Sequence, residues 1–318
     1  MCLLTLAIDQ SRRFPLVVAA NRDEFFNRPT ARLAWWSPGP GLPDILGGRD
    51  LQAGGTWLGL TAKGRMAMLT NVRAPSASQD PGAPSRGEIV QRWLAGDANA
   101  DRFWMRTALS GYNGFNLIAA DFQHGACFYA TNKSPHPVRL ERGLYGVSNG
   151  ALDSPWPKVQ FLKEAMRGAI DASETVDALA TRLFEALGDR TPAADDELPN
   201  TGVSTEWEKA LSSVFIRTPD QAYGTRCSTL IITERINKRL VTHVLERTFS
   251  PTGGMALLRR SLLKDWPPRY TDEPPLHASA QEVVTESTEP HETAQPMRRR
   301  VRTLLKPATP TRRKRATA

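Results

Sequence analysis

The first 24 residues, MCLLTLAIDQSRRFPLVVAANRDE, decide the fold. Cys2–Ile8 is apolar throughout and predicts a buried strand, and residues 15–20 form a second apolar run. Because only a short polar stretch separates the two runs, they predict a β-hairpin. Such a hairpin brings the polar tetrad at 21–24 back beside Cys2.

Further strands and helices follow in blocks. Two more hairpins are predicted at 57–61 with 65–70 and at 115–121 with 126–131, and single strands at 143–148, 213–217, 227–233 and 239–249. Amphipathic patterns predict helices over 86–94, 101–109, 155–168 and 172–187, with Ser154 and Ser173 as N-caps of the last two and a loop over 188–210. Hairpins, then helices, then hairpins indicate an α+β fold of antiparallel sheets covered by helices.

The composition changes near the C-terminus. Residues 1–266 have the apolar content of a single folded domain, whereas 267–318 are rich in Pro, Glu, Thr and Arg and predict a disordered basic tail. Nine of the 41 Lys and Arg residues lie in 298–318, which holds no acidic residue, and the other 32 are balanced by 33 acids. The net charge of +8 therefore belongs to the tail, which disfavours nucleic acid as a partner of the domain and leaves only weak binding through the tail.

Several classes of protein are excluded by what the sequence lacks. The three cysteines have no CxxC spacing and the five histidines no i,i+4 pairing, so neither a disulfide framework nor a metal site is expected. No apolar run is long enough to span a bilayer. The start carries no basic segment and reaches Asp9 early, unlike a signal peptide, so we expect a cytoplasmic protein. The oligomeric state is left open.

Cys2 is the residue with the clearest chemical potential. Aminopeptidases remove Met before a small residue, so the mature chain is expected to begin with Cys2, whose own α-amine then serves as a base for its thiol. The alternative is a small apolar residue at the start of a core strand. In the tetrad Asn21-Arg22-Asp23-Glu24, an acid could hold the amine and an arginine could lower the thiol pKa, or the four residues could form a solvated strand end.

Seven sequence blocks give a specific resemblance. They are MC at 1–2, ANRDEFFNRP at 20–29, GGTWLG at 54–59, LTN at 69–71, GYNGFNLIAAD at 111–121, YGVSNGALDSPWPK at 145–158 and YGTRCSTLI at 223–231. In this order they resemble the NRDE family, also called the transport-and-Golgi-organisation-2 family, over residues 1 to about 250. That family is similar to N-terminal-nucleophile hydrolases of the choloylglycine hydrolase and penicillin acylase group. The resemblance implies a four-layer αββα sandwich.

The resemblance also implies a set of catalytic residues. Cys2 corresponds to the nucleophile, Asp23 to the carboxylate, Asn71 and Asn149 to two asparagines that could hold an oxyanion, and Arg226 to a late arginine. Asn21, Arg22 and Trp57 are candidates for ligand contacts, although Trp57 could equally pack in the core. One departure is that the hydrolases place their arginine three residues before the aspartate, whereas Arg22 directly precedes Asp23. Neighbouring strand residues point to opposite faces, so these two are not expected to share the site.

Three functions stay open from the sequence. The first is a cysteine amidohydrolase or acyl transferase acting on an amide or thioester. The second is a non-catalytic carrier, because family members have been linked to haem trafficking and to acyl-CoA and lipid homeostasis. No cofactor is required by the first, and haem or acyl-CoA would be a non-covalent ligand in the second. The third is a scaffold whose basic tail recruits anionic partners.

Overall fold

The computed structural model describes residues 2–75, 78–252 and 254–267. The strands in these ranges are β1 (Cys2–Ile8), β2 (Leu16–Phe25), β3 (Thr30–Trp36), β4 (Ile45–Asp50), β5 (Leu58–Thr61), β6 (Arg65–Asn71), β7 (Phe115–Asp121), β8 (Ala126–Thr131), β9 (Val138–Arg139), β10 (Gly143–Val147), β11 (Tyr223–Ile236), β12 (Arg239–Phe249) and β13 (Met255–Lys264). The helices are α1 (Gly87–Ala95), α2 (Ala100–Ala108), α3 (Pro157–Asp171), α4 (Val176–Leu187) and α5 (Thr205–Ala210).

The strands form two antiparallel sheets. The first sheet has the order β10-β1-β2-β11-β12-β13, and the second runs from β3 to β9 in chain order. The predicted hairpin of β1 and β2 lies in the middle of the first sheet and pairs Cys2 with Arg22. The tetrad at 21–24 is therefore part of β2 and not a solvated end, because β11 pairs with the same residues from the other side.

Three apolar clusters separate four layers. The central cluster contains Leu6 and Val18 of the first sheet together with Met66 and Ile118 of the second. Alternate residues of the first sheet, such as Leu3, pack against α3 and α4 in another cluster. The third cluster joins the second sheet to α1 and α2. Two sheets face each other with helices outside both, which confirms the αββα sandwich.

Some local predictions were wrong. Residues 213–217 form no strand; only Arg217 makes an isolated bridge, with Gly224. The helix caps also differ, since α4 is capped by Thr175 instead of Ser173 and α3 begins after Trp156 without a side-chain cap. The predicted loop at 188–210 contains the short helix α5. Strands β3, β4, β9 and β13 were not predicted, because glycines interrupt β4, β9 is two residues long, and β13 is mostly exposed.

The C-terminal end of the described domain is held by Trp266. Its side chain is 1% exposed, its indole Nε1 donates to the carbonyl of Thr61 at 2.8 Å, and its own carbonyl accepts from the Thr242 hydroxyl. The tail predicted at 267–318 lies, apart from Pro267, outside the described residues. Within the described residues, no helix combines the length and the apolar character needed to cross a membrane.

Trp266→Phe is expected to destabilise the domain by about 1–3 kcal/mol, because the buried carbonyl of Thr61 loses its donor. Urea unfolding measures the change. A chain that ends after Pro267 serves as the comparison. Its urea unfolding transition is expected to have the same midpoint as that of the full chain. A large loss of stability in that shortened chain would show that the tail contributes to the fold.

Candidate active site

A two-lobed groove opens where β2 and β6 end. The polar lobe, about 600 Å³, is lined by Arg22, Asp23, Asp50 and Trp57 among others. The apolar lobe, about 620 Å³, is lined by Phe25, Arg73, Val203, Trp207 and Tyr223 among others. The lobes adjoin, because they share the lining residues Glu24, Arg28, Asn71, Gln79 and Arg86. The groove thus takes walls from both sheets and from the first turn of α1.

Cys2 is placed by the register of β1. As the first residue of that strand it pairs with Arg22, whose side chain lines the polar lobe. Directly paired residues of antiparallel strands lie on the same face of a sheet. The backbone therefore places residue 2 at the end of the sheet that forms the groove wall.

Arg22 is buried at this wall. Its guanidinium lies 4.2 Å from the centre of the Trp57 ring and donates to the Thr30 hydroxyl at 3.3 Å. Its Nη2 is 3.8 Å from a carboxylate oxygen of Glu24. A guanidinium that stacks on an aromatic ring keeps its edge available for hydrogen bonds. Arg22 is thus oriented as a fixed positive charge beside the start of β1.

Asp23, like Arg22, is among the residues that line the polar lobe. A β-bulge in β11 lies opposite the two residues, between Thr225 and Cys227, and bulges increase the local twist of a sheet. The Asp23 carboxylate accepts from the Thr225 hydroxyl at 2.7 Å and is 1% exposed. Burial raises the pKa of Asp23, and the charges of Lys158 and Arg22 act against that rise.

Arg226 is the extra residue of this bulge. Its guanidinium donates to the carbonyls of Phe25 and Arg28 at 2.7 and 3.0 Å and lies 5.3 Å from the centre of the Phe26 ring. It does not line either lobe of the groove. The structure therefore gives Arg226 the role of fixing the turn that carries Arg28.

The two predicted asparagines lie next to each other but are not equivalent. Asn71 ends β6 and lines both lobes, and its side-chain amide makes no hydrogen bond to another described residue. Asn149 is 1% exposed and donates its amide to the Asn71 carbonyl at 2.7 Å. Its own carbonyl accepts from the Arg73 N–H. Asn71 is thus the donor presented to the groove, and Asn149 positions it by tying the ends of β10 and β6 together.

Asn21 does not reach the groove. Its side chain lies on the helix side of the first sheet, where the amide donates to the carbonyls of Leu187 and Val214, each at 2.9 Å. Its oxygen accepts from the Ser228 hydroxyl at 2.6 Å. Its amide hydrogen bonds hold the helix layer to the sheet and its oxygen bonds the neighbouring strand, so the structure gives Asn21 a packing role.

Trp57 lines the polar lobe, and glycines make room for it. A Cβ on Gly48 would lie 2.2 Å from the Trp57 ring. A Cβ on Gly55 would lie 2.4 Å from the Gly87 backbone, so Gly55 allows the start of α1 to approach the groove. Gly48 and Gly55 therefore allow close packing of the groove wall.

Two charged pairs at the groove were not predicted. Arg28 forms an ion pair with Asp50 at 2.7 Å. Burial by itself would raise the pKa of Asp50. The hydrogen bonds that its carboxylate accepts from Arg28 and the Ala53 backbone outweigh burial, so this pKa is lowered. Arg73 pairs with Glu208 in the apolar lobe. Arg28 falls within the ANRDEFFNRP block, whereas no sequence pattern could join Arg73 to a glutamate 135 residues away. No group of three acidic, His or Cys side chains suited to a metal occurs in the described ranges.

Asp23→Asn is expected to be more stable than wild type at neutral pH. The native pKa of Asp23 is raised above the unfolded value of about 3.9, so the unfolded chain releases its proton first and native stability falls as pH rises between the two values. The difference in unfolding free energy between Asp23→Asn and wild type should shrink towards zero below about pH 4. Urea unfolding across this range measures it.

The matched control is Asp50→Asn. Because the native pKa of Asp50 is lowered, its carboxylate adds stability above the unfolded pKa and loses it on acidification, so this variant should be less stable than wild type at neutral pH. A difference between Asp23→Asn and wild type that does not change with pH would contradict the assignment.

The layers and the groove define a class of protein. Two facing antiparallel sheets with helices outside both make this a four-layer αββα sandwich. Residues 1–251 match the family Transport and Golgi organisation 2. The chain belongs to that family, which confirms the resemblance drawn from the seven blocks.

Curated relatives agree with this membership. The Transport and Golgi organization 2 homolog of Mus musculus is 32% identical, with 74% of this chain and 89% of the relative aligned. The homolog of Homo sapiens gives the same identity and coverage. The protein of Drosophila melanogaster is 26% identical over 79% of this chain and 93% of its own length.

Two solved structures have a similar chain course. One is the Caenorhabditis elegans ortholog of N-acylethanolamine-hydrolyzing acid amidase, with a TM-score of 0.43, 10% identity, and coverage of 73% of this chain and 92% of that one. The other is a variant of conjugated bile acid hydrolase from Clostridium perfringens, with a TM-score of 0.44, 10% identity, and coverage of 82% and 92%.

Proposed function

We propose that this protein is an N-terminal cysteine enzyme that hydrolyses or transfers the acyl group of an amide or thioester. The observation that carries the proposal is the pairing of residue 2 with Arg22 at the groove wall, with Asp23 and Asn71 lining the same lobe. An N-terminal cysteine contains both a nucleophile and a base, so it needs only an orienting acid and an oxyanion donor nearby.

The proposed reaction has two steps. The Cys2 α-amine takes the thiol proton while sulfur attacks the acyl carbon, which forms the C–S bond; the tetrahedral intermediate then expels the amine or thiol as that group accepts the proton. Water, or another acceptor, next attacks the thioester carbon and gives its proton to the α-amine. The C–S bond breaks, and the thiol recovers a proton as the acid or transferred acyl product leaves.

Each groove residue has a role in this scheme. Asp23 orients the protonated α-amine, and burial raises the pKa of its carboxyl group. Asn71 donates to the oxyanion, and Asn149 holds Asn71 in place. Arg22 provides a fixed positive charge that favours the thiolate.

The second candidate is a carrier that binds a hydrophobic ligand without reaction. It is favoured by the apolar lobe, where Phe25 is 49% and Trp207 is 47% exposed, an arrangement that leaves two large apolar side chains open to a ligand. Haem and acyl-CoA remain its candidate ligands. The carrier reading predicts full ligand binding without any covalent adduct.

Intact mass spectrometry of the full chain after treatment with a cysteine-directed acyl probe tests the proposal. The expected result is a protein that lacks Met1 and carries one acyl group on Cys2, seen as a thioester or, after migration, as an amide on the α-amine. A chain that retains Met1, or that stays unmodified at Cys2, would contradict the enzyme and favour the carrier.

A further inference from the structure

Arg73 lies in the groove but has no part in the proposed reaction. It follows Asn71 by two residues, lines the apolar lobe and is only 7% exposed. Its Nη1 donates to Glu208, and its guanidinium lies 4.9 Å from the centre of the Trp156 ring. Its Nε and Nη2 are buried and have no acceptor among the described residues. One side of the guanidinium is therefore paired and the other is not.

The unpaired side is costly unless something binds it. Nε and Nη2 together carry three N–H donors, and a buried donor without an acceptor has lost its hydrogen bonds to water with nothing in return. Glu208 cannot supply the missing acceptor, because its other oxygen already accepts from the Thr201 N–H and hydroxyl at 2.9 and 2.5 Å. The acceptor must come from outside this pair.

The geometry of the free atoms selects the acceptor. Nε and one N–H of Nη2 point in parallel from the same edge of a guanidinium, and a carboxylate fits such an edge with two hydrogen bonds. The lining of this lobe includes charged side chains, Glu24, Arg28 and Arg86, and a set of apolar ones: Phe25, Val72, Val203 and Trp207. A carboxylate on an apolar body satisfies both the edge and these apolar side chains.

We infer that Arg73 binds the free carboxylate of an amphiphilic ligand whose apolar body lies along Phe25 and Trp207. Within the proposed function this names the substrate class: an acyl compound that carries a carboxylate separate from the acyl carbon attacked by Cys2. The carboxylate is bound and unchanged during the reaction. This inference rests on the proposed function in one respect, that the ligand occupies the groove.

Calorimetric titration of the full chain with octanoate and with octanamide tests this. The two probes share an apolar chain and differ in charge, so the wild type is expected to bind octanoate roughly 10- to 100-fold more tightly, as hydrogen bonds to charged groups would give. The double variant Arg73→Gln with Glu208→Gln leaves no buried charge unpaired. It is expected to bind octanoate as weakly as octanamide, with octanamide unchanged.

Arg247→Gln is the matched control, because Arg247 also stacks on an aromatic ring, that of Phe184, but does not line the groove. It should keep the preference for octanoate. Equal binding of both probes by the wild type, no octanoate binding at millimolar concentration, or a preference retained in the folded double variant would each overturn the inference. If the wild type prefers octanoate but Cys2 is not acylated by the probe, the enzyme proposal is wrong and the carboxylate site at Arg73 stands.

Discussion

Cys2→Ala is expected to abolish acylation by the probe and leave the fold intact. Cys2 is the proposed nucleophile, and without its sulfur no thioester can form at the groove. The backbone pairing of β1 with β2 and β10 does not depend on that side chain, so the melting temperature should stay near that of the wild type. Intact mass and thermal unfolding, measured on the same preparation, check both parts.

Cys127→Ala is the matched control. Burial raises the pKa of the Cys127 thiol to about 12, so this cysteine stays protonated at neutral pH and should not react. Its replacement should leave one acyl group per chain. An adduct that persists in Cys2→Ala, or that disappears in Cys127→Ala, would place the reactive thiol elsewhere. Ligand binding that survives in Cys2→Ala together with full cellular function would leave the carrier as the better account.

Asn71→Ala is expected to slow acylation on the order of 10²- to 10³-fold, the usual effect of removing one oxyanion donor. Asn71 is the asparagine whose amide faces the groove, whereas the Asn149 amide is bound to the Asn71 carbonyl. The variant keeps that carbonyl, so Asn149 retains its partner and stability should change little. The rate of adduct formation, followed by mass against time, measures the effect.

Asn113→Ala is the matched control, because it also removes a side-chain amide from the groove lining. Asn113 also lines the polar lobe, but its side chain pairs with the backbone of Asp80 on the outer rim. Its removal should leave the acylation rate within a few-fold of the wild type. If Asn71→Ala reacts normally while Asn149→Ala does not, the oxyanion donor is Asn149 and the assignment made from the groove lining is wrong.

Local patterns were sufficient for the hairpins. The runs at 115–121 and 126–131 were predicted with the bounds that β7 and β8 have, because turn residues and apolar runs are encoded within a few positions of each other. β3 and β4 were missed because their burial comes from partners distant in sequence. In β3, for example, only Leu33 is fully buried, and its N–H is bound by Glu246 of β12.

The candidate site was only partly predictable. Motif spacing identified Cys2, Asp23 and Asn71, which the fold brings to one groove. The same spacing could not separate Asn71 from Asn149, or show that Asn21 belongs to the helix layer, because each distinction depends on which face of a strand end a side chain takes.

The sequence by itself determined the hairpin that begins the chain and the candidate nucleophile, since these depend on short apolar runs and on residues close together in the chain. Its seven blocks determined the family, and the resemblance to that family implied the αββα class. The tertiary structure alone decided which of the candidate residues meet. It placed Arg226 behind the turn that holds Arg28, and it buried Arg73 against Glu208 with one edge unpaired. The physical reason is that hydrogen bonding and burial at the groove are properties of two sheets and a helix packed together, which no single segment contains.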